Sequence, residues 1–201
     1  VCAQLVVPER SLLFMEDAVL MNLWPHHEED ELAAVQRVLV SGRVNYWNGE
    51  EGRAFERDFA DYCGASHAIA LANGTLALEL ALYALGIGPG DEVIVTPRSF
   101  IASVSCVVTV GAHPVFADID PDTQNITPES ARAVLSPRTR AVLPVHLGGW
   151  PCDMDGFQEL AEEHGLYLIE DCSQAHGATW NDQPVGSFGD AAAFSFCTDK
   201  I

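Results

Sequence analysis

The chain has 201 residues, 48% of them apolar, which suits one domain of ordinary size with a substantial core, or a piece of a larger domain. Ten Lys and Arg against 29 Asp and Glu leave a formal charge of −19, which argues against a nucleic-acid surface because few cations are available to meet phosphates. No run of about eighteen uncharged apolar residues occurs, so no membrane span is expected.

The same charge leaves an anionic substrate only Arg43, Arg53 or Arg98 as local positive partners. The six cysteines (2, 63, 106, 152, 172 and 197) show neither CxxC nor His-rich ligand spacing. They read as buried thiols of a reducing compartment, which places the protein in the cytoplasm and leaves no metal site. Val1 to Met21 is moderately apolar, but Glu9, Arg10, Glu16 and Asp17 interrupt it, so it does not read as a signal peptide. Residues 1–23 are a poorly defined N-terminal segment, and 24–201 read as one body with no internal linker.

Structure is predicted from about Glu28. Leu32, Val35, Val38 and Leu39 share a helical face, acids fill the first turn, and Ser41-Gly42 ends the helix. A polar loop over 43–53 carries Tyr46 and Trp47. A second helix places Phe55, Phe59, Tyr62 and Cys63 on one face and closes at Gly64. From there the chain alternates. Strands are predicted at 67–72, 92–96, 114–117, 141–145, 166–170 and 191–196. Helices are predicted at 75–85, 100–110 and 128–135, and again around Met154, Phe157, Leu160 and Ala161 with Asp153 as N-cap. Apolar strands separated by helices indicate an α/β fold, a mostly parallel sheet covered by helices on both faces. Ligands of such sheets bind at the carboxyl ends of the strands.

Several residues at those ends have useful chemistry. Asn73-Gly74-Thr75 joins a strand to a helix; the free N–H groups of the first turn and the Thr75 hydroxyl suit a phosphate, although a glycine-bearing helix cap reads the same way. Asp171 ends an apolar strand, where a carboxylate suits either a cationic partner, such as the pyridinium nitrogen of pyridoxal 5'-phosphate (PLP), or a turn cap. Gln174 is within reach of that ring's phenolic oxygen. Phe100 offers a flat ring for stacking, and Ser195 a hydroxyl for the phosphate. Lys200 supplies an amine for covalent attachment and proton transfer, although a lone lysine more commonly sits in solvent. His146 and His176 read as hydrogen-bonded histidines that line or support the pocket.

The order of these signals is more specific than any one of them. Asn73-Gly74-Thr75 with Ala77-Leu78, Gly90-Asp91-Glu92-Val93-Ile94-Val95, Phe100-Ile-Ala-Ser103 and Pro114-Val-Phe-Ala-Asp118-Ile-Asp120 follow one another. Pro144-Val-His146-Leu-Gly148, Glu170-Asp171-Cys-Ser-Gln174-Ala-His-Gly-Ala178 and Phe194-Ser-Phe196 with Lys200 complete the series. From about Trp24 onward the sequence resembles the DegT/DnrJ/EryC1/StrS aminotransferases, PLP-dependent sugar aminotransferases of fold type I. The resemblance implies that Lys200 carries the cofactor covalently. It implies that Asp171 meets the pyridine nitrogen and Gln174 the phenolic oxygen. It gives the phosphate to Thr75, to the amides of Thr75 and Leu76 following Gly74, and to Ser195, and it stacks Phe100 on the ring. Ser41-Gly42 through Gly49 is similar to a loop near the site.

Family members move an amino group from glutamate to a keto group of a nucleotide-linked sugar, for surface glycans or antibiotic sugars. Their sites form between the subunits of a homodimer. Their chains continue past the lysine through the rest of the large domain and a small C-terminal domain, so the sequence is expected to be the N-terminal portion of such an enzyme. A sugar dehydratase on the same scaffold, which can carry histidine at the lysine position, and a non-catalytic remnant or sensor are the alternative readings.

Overall fold

The computed structural model describes residues 27–198 and Lys200. The expected N-terminal segment, 1–23, lies outside the described residues. The chain divides into two compact units, Val1–Gly49 and Glu50–Ile201. In the first, helix α1 spans Glu29–Ser41. The Glu31 carboxylate accepts the Glu28 N–H at 2.7 Å, which satisfies one of the donors a helix start leaves open. Gly42, at φ 68°, takes the left-handed conformation that stops the helix. The predicted apolar face exists, but Leu32, Val35 and Leu39 on it are exposed.

The second unit begins with α2 (Glu51–Cys63) and α3 (Gly74–Ala84). It continues with β1 (Glu92–Val95), α4 (Ala102–Thr109), β2 (His113–Phe116), α5 (Pro128–Ala133) and β3 (Thr139–Leu143). Then come α6 (Met154–His164), β4 (Tyr167–Asp171), the short strands β5 (Thr179–Trp180) and β6 (Gln183–Pro184), and β7 (Ala191–Ala193). Five strands form a parallel sheet in the order β2-β1-β3-β4-β7. β5 and β6 form a separate antiparallel hairpin. Among the described residues, no helix is long and apolar enough to cross a membrane.

Strand alternation divides the core into two layers. Val93, Val95, Leu143 and Ile169 face Leu78 and Leu82 of α3 and Cys106 and Val107 of α4. Ile94, Val142 and Leu168 face Ala131 of α5 and Met154, Phe157 and Leu160 of α6. Both faces of the central strands are therefore covered, which is why these strands read as unbroken apolar runs.

Three sequence expectations are corrected. The segment 67–72 is not a strand: no ladder includes it, Ile69 and Leu71 are exposed, and the Ala70 N–H donates to the Glu56 side chain. An apolar run becomes a strand only with a neighbour to pair with, and none of the described strands pairs with this run. The last strand ends at Ala193 rather than Phe196. The hairpin over 179–184 went unpredicted; its turn residues Asn181 and Asp182 both have positive φ, as a tight two-residue hairpin turn requires.

Glu170 holds this hairpin region to the sheet. The carboxylate is fully buried and accepts N–H bonds from Gly186, Phe188 and Gly189 at 2.7, 2.8 and 2.9 Å. His146 Nδ1 accepts the Cys152 N–H, so the ring's hydrogen sits on Nε2 and is donated to Glu170 at 3.2 Å. Burial pushes the Glu170 carboxyl up, but the bonds from His146, Gly186 and Gly189 outweigh it and hold the group below the ordinary carboxylate range. His146, Glu170 and Cys172 bring atoms of metal-ligating type within 4.8 Å of one another. The carboxylate and imidazole of that group are already committed to this hydrogen-bond network.

Three substitutions check this account. Phe157→Ala, in the buried layer under α6, is expected to cost about 3–5 kcal/mol by urea denaturation. Val40→Ala, on the exposed face of α1, is expected to stay within about 0.5 kcal/mol. Glu170→Gln sets an amide against backbone donors and is expected to cost about 3 kcal/mol at neutral pH. Because the folded pKa of Glu170 is lowered, its contribution is complete above the ordinary carboxylate value of about 4.3 and drains as pH falls through the lower folded value. The gap between the two proteins in urea midpoint should therefore narrow in acid.

Candidate active site

All five strands of the sheet run parallel, so their carboxyl ends share one edge, and the predicted residues gather there. The strand order reverses direction at β1, with β2 on one side and β3 on the other. The loop after β1 carries Phe100 into α4. The end of β4 carries Asp171, and the segment after β7 carries Ser195 and Lys200.

Asp171 is the most constrained of them. Its backbone N–H donates to the Pro144 carbonyl and its carbonyl accepts the His146 N–H, which extends the pairing of the β3 and β4 segments beyond the strands themselves. The side chain is almost completely buried. One carboxylate oxygen accepts the Ser173 N–H at 3.1 Å, a turn made by the aspartate with its own chain two residues on. The other accepts the Ser103 hydroxyl at 2.6 Å. A carboxylate has about four acceptor positions, so these two donors leave room for a third.

The α3 start forms the second cluster. Asn73 caps the helix, its side-chain oxygen accepting the Leu76 N–H at 2.9 Å. The Leu76 amide, assigned to a phosphate by resemblance, is thus committed to its own cap. Among the described residues, the Thr75 N–H, the Thr75 hydroxyl and the Ser195 hydroxyl have no hydrogen-bond partner. Gly74 is buried, and a Cβ there would stand 3.1 Å from Ser195 Cβ and 3.4 Å from Ser173 Oγ. Glycine is what lets the helix start, Ser195 and Ser173 meet. Free N–H groups and the helix dipole favour negative charge at a helix start such as this one.

Gln174 commits its side-chain oxygen to the backbone. Oε1 accepts the Gly148 N–H at 2.7 Å, which leaves the side-chain NH2 as a free donor. Phe100 is exposed, with 63% of its surface in solvent, so the ring is open to a flat ligand. Lys200 Nζ lies 5.9 Å from the centroid of that ring, within cation–π range. Its backbone N–H closes a turn on the Cys197 carbonyl.

Two further expectations change. His176 has no hydrogen-bond partner at either ring nitrogen. It packs edge-on against Phe194 and Phe196, with centroids 5.4 and 5.1 Å away, and burial pushes its pKa below the ordinary histidine value. Phe55 and Phe59 of α2 close the same aromatic cluster. Cys63, Cys106, Cys152 and Cys172 are buried free thiols as expected, whereas Cys197 is exposed. Burial pushes the Cys106 thiol up to about 12, which removes it as a nucleophile.

Sequence reasoning missed Ser103 and Ser173 as parts of the site. An Asp-x-Ser sequence at a strand end signals the turn that uses the Ser173 N–H. No comparable local signal marks the Ser103 hydroxyl, whose partner is 68 residues away.

Comparison with known proteins places the sequence and the fold in one family. The chain is 52% identical over 158 residues to the GDP-perosamine synthase of Caulobacter vibrioides, covering 77% of this chain and 43% of that protein. It is 52% identical over 152 residues to the UDP-N-acetyl-3-dehydro-alpha-D-glucosamine 3-aminotransferase of Acidithiobacillus ferrooxidans, covering 76% and 41%. The structure superposes on the aminotransferase of Psychrobacter cryohalolentis with a TM-score of 0.87 and 59% identity, over 88% of this chain and 45% of that one. The chain therefore spans a little under half the length of the relatives it matches. The sequence profile of the DegT/DnrJ/EryC1/StrS aminotransferases, which use PLP, matches residues 25–201. That match, with the parallel sheet and its gathered strand ends, makes this chain a member of the DegT/DnrJ/EryC1/StrS aminotransferase family.

Proposed function

We propose that residues 24–201 form the N-terminal part of the PLP-binding large domain of an aminotransferase. The enzyme moves an amino group from glutamate to a keto group of a nucleotide-linked sugar, for surface-glycan or antibiotic-sugar synthesis. The observation that carries this reading is the set of groups left without partners at one sheet edge. The Thr75 N–H and hydroxyl and the Ser195 hydroxyl stand beside Gly74, the Gln174 NH2 is free, and Asp171 retains acceptor positions. These donors and acceptors fit the phosphate, the phenolic oxygen and the pyridine nitrogen of PLP respectively.

When bound, PLP supplies an electron sink that makes a hydrogen on the carbon next to the amine acidic. The protein residues do the rest. Thr75 and Ser195 hold the phosphate with the dipole of α3 behind them. Asp171 would meet the pyridine nitrogen with a buried carboxylate, which favours its protonated form. Gln174 donates its NH2 to the phenolic oxygen, and Phe100 covers one ring face. Lys200 Nζ would hold the cofactor covalently, and its amine would serve as the general base that accepts the proton of the substrate carbon. Lysine at this position favours amino transfer over the dehydratase reading.

The identity to an enzyme named for GDP-perosamine and to one named for a UDP-linked amino sugar supports a nucleotide-sugar substrate. We place the enzyme in the cytoplasm as a homodimer.

The test is to incubate the whole PLP-loaded protein with glutamate and a panel of GDP-, UDP- and dTDP-linked ketosugars. Aminated sugar and 2-oxoglutarate in equal amounts are expected, with no product from Lys200→Ala. Deoxygenated sugar without amination would instead establish the dehydratase reading, and no turnover with any member of the panel would favour the remnant. Gly74→Val, which drives a branched side chain into Ser195, is expected to weaken PLP binding by at least about tenfold in an absorbance titration.

A further inference from the structure

We propose that Ser103 is a positioning residue for the Asp171 carboxylate, fixing its orientation opposite the PLP pyridine nitrogen, with Ser99 as a second link behind it. This rests on the reading that PLP binds at this sheet edge.

Ser103 is fully buried on α4. Its hydroxyl lies 2.6 Å from Asp171 Oδ2 and 2.7 Å from Ser99 Oγ. A hydroxyl has one hydrogen, and an ionised carboxylate only accepts. The direction of the chain is therefore fixed: Ser99 donates to Ser103, and Ser103 donates to Asp171. Each bond polarises the next, and the last is a short, charge-assisted bond in a site shielded from water.

The placement differs from that of an ordinary helical serine. Such a hydroxyl usually returns to the carbonyl one turn back in its own helix. Thr109, on the same helix, does this with the Ser105 carbonyl at 2.9 Å. Ser103 instead spans two elements, from the first turn of α4 to the end of β4. Its backbone N–H closes a turn on the Phe100 carbonyl at 3.1 Å, so the turn that presents the Phe100 ring also sets the Ser103 hydroxyl. One short segment thus places both the stacking ring and the support of the carboxylate.

Without the hydroxyl, Asp171 would keep only the Ser173 N–H. With one donor fewer, the carboxylate is free to turn about its side-chain torsion. A carboxylate turned out of line no longer offers the pyridine nitrogen a well-aimed acceptor. Ser103 touches no reacting atom in this account; it acts through Asp171.

The experiment uses the protein reconstituted with PLP isotopically labelled at the ring nitrogen. The nitrogen resonance is followed against pH by NMR, and PLP affinity is measured by titration. Wild type, Ser103→Ala, Ser103→Cys, Asp171→Asn and the Ser103→Ala/Asp171→Asn double variant are compared. Wild type is expected to hold the protonated ring signal across the neutral range. Ser103→Ala should lose it at lower pH and bind PLP about tenfold more weakly, the scale of one charge-assisted bond. Ser103→Cys keeps the volume with a weaker donor and should fall between the two, which tests the proposal even if the alanine variant does not fold. In the Asp171→Asn background, Ser103→Ala should change PLP affinity by less than about twofold, because the two residues act as one unit.

A ring signal and affinity unchanged by both single substitutions at Ser103 would overturn the proposal while leaving PLP binding intact. So would a full tenfold loss in the Asp171→Asn background, since Ser103 would then act through packing. A wild-type protein that binds no PLP would overturn both this proposal and the reading on which it rests.

Discussion

A carboxylate excluded from water at the end of a parallel strand is the constraint on which the rest of this site depends. Asp171 is only 4% exposed, and burying such a charge without partners is costly. Three parts of the chain meet that requirement. The strand fixes its backbone through Pro144 and His146, the following turn supplies the Ser173 N–H, and α4 supplies the Ser103 hydroxyl. Each partner arrives because the sheet is parallel and its loops return to one edge. The remaining acceptor capacity of Asp171 is the directional feature to which a protonated ring nitrogen fits.

Two adjacent carboxylates divide structure from chemistry. Successive residues of a strand face opposite sides of the sheet. Glu170 turns toward the loop over 186–189 and His146, and its oxygens are saturated by donors from those groups. Asp171 turns toward α4 and is left with acceptor positions. A register slip of one residue in β4 would exchange the two. The Glu170 network resists that slip, because three backbone amides and an imidazole match its position alone. The same network secures the segment leading into β7, whose far end carries Ser195 and Lys200. The role proposed for one carboxylate thus relies on the rigidity supplied by its neighbour.

Much of this was legible in the sequence because it follows from periodicity and punctuation. Val93-Ile94-Val95 and Leu168-Ile169 read as strands buried on both sides, and they are. Gly42, Gly64 and Asp153 marked helix ends where the structure has them. Phe100, Asp171 and Ser195 fell after strand ends because the alternation of elements puts them there, whereas Thr75 follows the run 67–72, which is not a strand. What failed depended on partners distant in sequence. The run 67–72 has strand composition but no described strand beside it. His176 looked like a hydrogen-bonding residue, yet its neighbours are phenylalanines contributed after β7. The Leu76 amide looked available until the Asn73 cap took it. Ser103 stood inside a recognised motif, but nothing local shows that a helical hydroxyl leaves its helix.

The most direct test of the central claim is borohydride reduction of the PLP-loaded protein followed by peptide mass mapping. The account predicts a single pyridoxyl-phosphate adduct on the peptide containing Lys200, with Asp171 and Thr75 needed for its full yield. Cofactor uptake that leaves no adduct on the Lys200 peptide, or visible-range cofactor absorbance that survives in Lys200→Ala, would contradict it.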